Sequence, residues 1–141
     1  MLFPFCSVDL PHKKWPYYND LILLIKKNHP EFELVVAPSS NEIEESKKIN
    51  AKVILKEDKA LTITQLAGLI DKAQFIISND TGPAHMAAHL GAKGVTLFGY
   101  HTTPKKVSIE TNKFKAIIKD NLKDLSAEEV YSNIFKELSL I

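Results

Sequence analysis

The run Asn79-Asp80-Thr81-Gly82-Pro83-Ala84-His85 concentrates the residue types best able to do chemistry. An apolar stretch, Phe75-Ile76-Ile77-Ser78, precedes it, and Pro83 suits the first turn of a helix that Gly91 can end, so the run joins a strand to a helix start. The unpaired N–H groups and positive end of a helix N-terminus favour an anion, and phosphate is the expected one. Gly82 lets a ligand reach the backbone with no Cβ in the way. Thr81 adds a hydroxyl, and His85 falls in the first helical turn facing the same region. Asp80 has the wrong sign for phosphate, so its expected partners are sugar hydroxyls or a lysine, with Lys13 and Lys14 as candidates. The competing reading is structural: Asp80 and Thr81 cap the helix, and His85 lies on the surface.

Elements that would position this run can be read on both sides of it. Leu2-Phe3 and Phe5 suit a first strand, and residues 7–14 a loop ending at Trp15-Pro16. A helix follows with Leu21, Leu24 and Ile25 on its buried face, stopping near Asn28-His29-Pro30 because a residue before proline is disfavoured in the α region. Residues 32–37 alternate as a second strand, and Ser39 to Glu45 read as a turn, an N-cap and an acidic first turn of a short helix reaching about Ile49. Val53-Ile54-Leu55 is the third strand. Thr62-Ile63-Thr64-Gln65 is a capping box opening a helix that buries Leu66, Leu69 and Ile70. Residues 75–78 and 95–98 are the fourth and fifth strands. A long polar segment separates them from a sixth at residues 114–118, and Ser126 caps a last helix with Val130, Ile134 and Leu138 inward.

Strands alternating with helices imply an α/β fold of the doubly wound, Rossmann-like class: a parallel sheet covered by helices on both faces. Ligands of such sheets sit beyond the carboxyl ends of the strands, which selects residues 6–14, 38–42, 56–61, 79–85 and 99–104. The 141 residues suit one domain, and 18 Lys+Arg against 17 Asp+Glu leave no global field to draw the chain onto nucleic acid or an anionic membrane. Cys6 is the sole cysteine, so there is no internal disulfide and no multi-thiolate metal site. No apolar run approaches the length of a membrane span and no signal-peptide pattern opens the chain, so a cytoplasmic protein is expected, with peripheral contact at the inner membrane left open.

The segment Ser78-Asn79-Asp80-Thr81-Gly82-Pro83-Ala84-His85-Met86-Ala87-Ala88, followed by Leu90-Gly91-Ala92 and Val95-Thr96-Leu97-Phe98-Gly99, resembles the signature of the bacterial ADP-heptose:lipopolysaccharide heptosyltransferases, glycosyltransferase family 9. A second likeness lies upstream, where residues 4–7 and Lys13-Lys14-Trp15-Pro16 are similar to that family's first strand, phosphate loop and Lys-x-Trp-Pro element. The resemblance runs from Leu2 to the last helix but covers only the carboxyl-terminal, donor-binding half of a family member. It implies one Rossmann-like half of a two-domain GT-B enzyme, with the amino-terminal acceptor domain and its catalytic base absent from this chain. Lys93 and the residues 100–104 depart from the family pattern, and neither departure is expected to touch the phosphate site.

Carried over to these positions, the resemblance implies that Lys13 meets the donor diphosphate, with Ser7 helping as a hydroxyl in the same loop. Glu42 would accept the ribose hydroxyls, beside the plainer reading of an exposed first-turn glutamate. Leu61 would lie against adenine, while Asp80, Thr81, Gly82 and His85 surround the diphosphate and first sugar. Lysine, backbone N–H groups and a helix end offset leaving-group charge without a metal, so no metal or other cofactor is expected. Cys6 either lines the pocket or is a small buried residue, the second being favoured. Trp15 is expected as a packing anchor, and His12, His29, His89 and His101 show no metal spacing. The expected partners are a nucleotide sugar, a separate acceptor-domain chain or a second copy through the open cleft face and, only with the missing domain, the lipopolysaccharide core. A binding module without turnover is the main competitor. A dinucleotide oxidoreductase is disfavoured because no G-x-G-x-x-G follows any strand.

Overall fold

The computed structural model describes residues 1–7 and 9–141. Six strands form one parallel sheet: β1 (Leu2–Phe3), β2 (Val35–Val36), β3 (Lys52–Val53), β4 (Ile76–Asn79), β5 (Gly94–Phe98) and β6 (Phe114–Ile118). Their spatial order is β3-β2-β1-β4-β5-β6, so the chain winds outward from β1 to one edge, then returns to β1's other side and winds to the opposite edge. The reversal falls between β1 and β4, whose register pairs Leu2 with Ile77 and Phe3 with Ser78. Loops after these two strands must diverge, and a crevice opens at their carboxyl ends.

Period-two alternation sorts the strand side chains into two cores. Leu2, Ile77, Val95 and Leu97 face α1 (Tyr18–Asn28) and α6 (Ala127–Leu138), which contribute Leu21, Ile22, Ile25, Val130, Ile134 and Leu138. Phe3, Ile76, Phe98 and Phe114 face α3 (Ile63–Lys72) and α4 (Gly82–His89), with Ile70, Ala84, Ala87 and Ala88 opposite. Both faces are apolar, as a parallel sheet wrapped by helices requires. In α1 the fully buried position is Ile22 rather than Leu24, and in α3 only Ile70 is fully buried, with Leu66 and Leu69 packed at the margin.

The local signals behave as their chemistry dictates. Thr62 accepts the Gln65 N–H and the Gln65 side chain returns to the Thr62 N–H, closing the capping box. Gly91 takes φ +75° just past α4, a conformation that ends the helix without a Cβ penalty. The short helix α2 (Ile43–Ser46) is preceded by a 3-10 turn, Ser40–Glu42, and the polar segment before β6 contains a helix, α5 (Pro104–Val107), that sequence pattern does not announce. Strand β2 is shorter than the expected 32–37, and β3 starts one residue before the expected 53–55 and ends at Val53, because pairing between them joins only Val35 to Lys52 and Val36 to Val53. Among the described residues no helix is long and apolar enough to cross a membrane.

Candidate functional site

Asn79, the last residue of β4, has a fully buried side chain that holds the mouth of the crevice together. Its amide donates to the Pro4 carbonyl at 2.9 Å, and its Oδ1 lies 3.3 Å from both the Trp15 N–H and the Tyr18 hydroxyl. The loop after β1 is thereby tied to the turn after β4. Trp15 completes the tie from the other side: it is 1% exposed, its indole N–H donates to the Leu125 carbonyl at 2.7 Å, and its ring packs edge-on against Tyr18. It is a packing anchor and is enclosed too fully to stack on a base.

Asp80 follows at the floor of the crevice, 4% exposed and surrounded by donors. Lys13 Nζ lies 2.8 Å from its Oδ2, His101 Nε2 lies 2.9 Å from the same oxygen, and His85 Nε2 lies 3.2 Å from Oδ1. Burial pushes this carboxyl's pKa upward. The hydrogen bonds from Lys13, His101 and His85, with the Lys13 charge, outweigh burial and hold it below the ordinary carboxylate value. Of the two candidate lysines, Lys13 is the one on Asp80, while Lys14 pairs with Glu45.

His101 is the residue that sequence reasoning missed. Its loop lies within the residues 99–104 that the winding rule selects, but the departure from the family pattern there is not expected to touch the phosphate site, and no role in it is expected of His101; the loop folds back so that His101 shares Asp80 with Lys13. The physical reason is adjacency: β5 is the neighbour of β4 in the sheet, so loops leaving their carboxyl ends converge, and a titratable residue three positions past Phe98 falls within reach of Asp80. Its ring stacks on Phe98 with centroids 5.9 Å apart and planes 13° apart.

Beside the cluster, at the β1–β4 reversal, lies a cavity of about 350 Å³, large enough for a small ligand. Ser7, Glu42, Leu61, Thr81 and Gly82, all expected site residues, line it together with Phe3, Phe5, Ala37 and Ile63. Lys13, Asp80 and His85, also expected site residues, do not line it; they form a polar cluster that adjoins it through Thr81. Among the described residues the Thr81 hydroxyl makes no capping bond to the helix and donates only a long hydrogen bond, 3.4 Å, to the Asn79 carbonyl. Helix α4 therefore begins at Gly82 with no side-chain cap among the described residues, which leaves its positive end facing the cavity. The structural reading of Asp80 and Thr81 as caps is thus not what the geometry shows.

Glu42 is half-buried and oriented. Its Oε2 accepts the Ser39 N–H at 2.8 Å in a capping box, which fixes the carboxylate at the cavity wall. Cys6, expected to be a buried packing residue, is instead half-exposed and lines the cavity, with its thiol 3.3 Å from the Leu10 carbonyl. The thiol lies where the loop after β1 borders the cavity, so packing does not enclose it. Burial raises its pKa, Lys14 lowers it, Glu42 raises it and Lys13 lowers it, and the net direction is upward.

Sheet order and a helix that starts at the switch point define a Rossmann-like α/β domain. The family model described as glycosyltransferase family 9 (heptosyltransferase) matches residues 1–135, and the chain belongs to that family. Among solved structures it is similar to Escherichia coli heptosyltransferase WaaC with ADP-2-deoxy-2-fluoro heptose, at a TM-score of 0.80 and 21% identity, over 96% of this chain and 42% of that one. It is similar also to E. coli ADP-heptose lps heptosyltransferase II, at a TM-score of 0.79 and 21% identity over 99% and 46%, and to a family 9 glycosyl transferase from Veillonella parvula, at 0.73 and 19% over 99% and 46%. The chain thus spans less than half the length of these structures, and at these identities the likeness establishes the fold. A search of curated proteins gave no match.

Proposed function

We propose that this chain is the donor-binding domain of a glycosyltransferase that takes an ADP-sugar, ADP-heptose by preference, for transfer to lipopolysaccharide core. The observation that carries the reading is the start of α4 on the wall of one cavity, with the Lys13–Asp80 pair and its two imidazoles adjoining that wall through Thr81. In support, the solved heptosyltransferase WaaC that this fold matches holds ADP or an ADP-heptose analogue.

In this reading adenine lies against Leu61 and the apolar wall, Glu42 takes the ribose hydroxyls, and the diphosphate meets Gly82, Thr81, Ser7 and Lys13. Transfer breaks the bond between the sugar's anomeric carbon and the diphosphate, so negative charge grows on the leaving oxygen. The Lys13 charge, once turned from Asp80, and the positive end of a helix oppose that charge, which is the electrostatic stabilisation that lowers such barriers, and no metal is invoked. Asp80 and His85 face the first sugar. The acceptor and the base that takes its proton come from outside residues 1–141, across the open side of the cavity, as proximity catalysis demands. The proposed setting is the cytoplasm, where any contact with the inner membrane would be peripheral.

The test is a calorimetric titration with ADP, ADP-heptose and UDP, repeated on Lys13→Ala. Saturable binding of the adenine nucleotides, weaker for UDP and weakened further in Lys13→Ala, is the expected result. Equal binding of ADP and UDP, or none by a folded chain, would sink the proposal. Binding of ADP-heptose with no transfer when an acceptor-domain partner is supplied would leave a sugar-nucleotide binding module instead.

A further inference from the structure

The loop after β5 brings a buried imidazole to Asp80, and its geometry is specific. His101 is 6% exposed at its side chain, its Nε2 lies 2.9 Å from Asp80 Oδ2, and its Nδ1 is buried with no hydrogen-bond partner among the described residues. In the neutral ring, then, the proton sits on Nε2 and is donated to Asp80, because a proton on Nδ1 would leave both a buried donor unpaired and a lone pair facing a carboxylate. Nδ1 is not placed to act as a base. A Cβ built on Gly99 would lie 3.4 Å from it, so Nδ1 points into its own loop rather than into the cavity.

Two donors therefore share one carboxylate oxygen. Lys13 Nζ is 2.8 Å from the oxygen that His101 also holds, and His85 holds the other oxygen at 3.2 Å. An ammonium clamped on a carboxylate is a poor receptor for phosphate, since the pair must be loosened before the charge can turn to a ligand. A carboxylate that keeps two imidazole N–H donors is not left bare when the ammonium departs. His12, the residue before Lys13, packs its ring 5.5 Å from that of His101, so the loop that carries the lysine rests on the same imidazole.

We propose that His101 is a positioning residue: by donating Nε2–H to Asp80 Oδ2, it frees the Lys13 ammonium to engage the diphosphate of the donor. The inference rests on the donor-binding reading above and adds to it a residue outside the Asp-Thr-Gly-x-x-His run. His101 touches no ligand in this scheme and acts only through Asp80.

The experiment compares the intact chain with His101→Leu, which keeps much of the volume and removes the donor, and His101→Gln, whose side-chain amide can donate from a similar reach. Affinities for ADP and adenosine are measured by calorimetry, and the Asp80 side-chain carboxyl is titrated by carbon NMR without ligand. The expected result is that His101→Leu weakens ADP about tenfold, the size of one hydrogen bond to a charged group, while adenosine changes less than about twofold. The Asp80 titration moves upward in His101→Leu, and His101→Gln recovers most of both effects. Unchanged ADP affinity in His101→Leu overturns the inference, as does an equal loss for adenosine, or a glutamine variant no better than leucine. Should the unsubstituted chain bind neither nucleotide, the donor-binding reading fails by itself. The His101–Asp80 coupling is then decided by the titration: an upward move in His101→Leu supports it, and no move overturns it.

Discussion

Replacing Lys13 by Met and Asp80 by Asn, singly and together, isolates the ion pair on which the candidate site is built. The pair is close, at 2.8 Å, and unevenly buried, with Lys13 21% and Asp80 4% exposed. Fully exposed pairs couple by about 0.2–1 kcal/mol, whereas breaking a buried pair costs about 3–5 kcal/mol. Asp80 keeps two imidazole donors after Lys13 is removed, and Lys13 can turn to water after Asp80 is neutralised, so the coupling belongs nearer the lower range, at about 1.5 kcal/mol. For a chain of this length that corresponds to about 4–6 °C in Tm. The assay is urea unfolding of the four proteins, with the coupling energy taken from the cycle. The coupling should persist in about 1 M salt, where exposed charges are screened within about 3 Å. A coupling below about 0.5 kcal/mol, or one abolished by salt, would mean that water already separates the two groups and that no preorganised charge cluster exists.

Asp80→Asn should also alter acid stability. The folded carboxyl titrates below its ordinary 3.8, so it contributes stability that is present above that value and lost as pH falls through the lower folded one. Unfolding midpoints of Asp80→Asn, followed from pH 6 downward, should therefore fall less steeply below about pH 4 than those of the parent, and parallel curves would contradict the hydrogen-bonded carboxylate. Cys6 offers a reporter, since it is the sole cysteine and lines the cavity with its thiol pKa raised. Its modification by a disulfide reagent at pH 7.5 should be slower than that of a free thiol and slower again with saturating ADP; a rate indifferent to ADP would place the nucleotide elsewhere. Gly94→Ala should destabilise the sheet by about 2–4 kcal/mol, because the added Cβ would lie 2.3 Å from the Ile76 carbonyl oxygen, and a midpoint within error of the parent would refute that packing.

Much of the fold was legible because its signals are local. The capping box at Thr62, the stop at His29-Pro30, the proline-led start and glycine end of α4, and the apolar runs of the central strands each state their element within a few residues. Convergence of loops at the carboxyl ends follows from the winding rule, so residues 6–14, 38–42, 56–61, 79–85 and 99–104 group from the sequence. What stayed hidden was contact rather than class. That Lys13 and not Lys14 reaches Asp80 depends on one 3-10 turn, Pro11–Lys13, that rotates alternate side chains apart. His101 sits in a polar loop with no periodicity, and its partner lies 21 positions earlier. Its signal was position alone, an imidazole just past the strand that neighbours β4.

Backbone-resolved NMR of the chain titrated with ADP tests the central claim most directly, because it asks where the nucleotide goes. The account predicts shifts concentrated at Ser7, Glu42, Leu61, Gly82 and His85, around the cavity at the carboxyl ends of β1 and β4. Shifts confined to Phe32, Leu34 and Phe75, which line a separate cavity at the amino ends of the strands, or spread evenly over the surface, would contradict it.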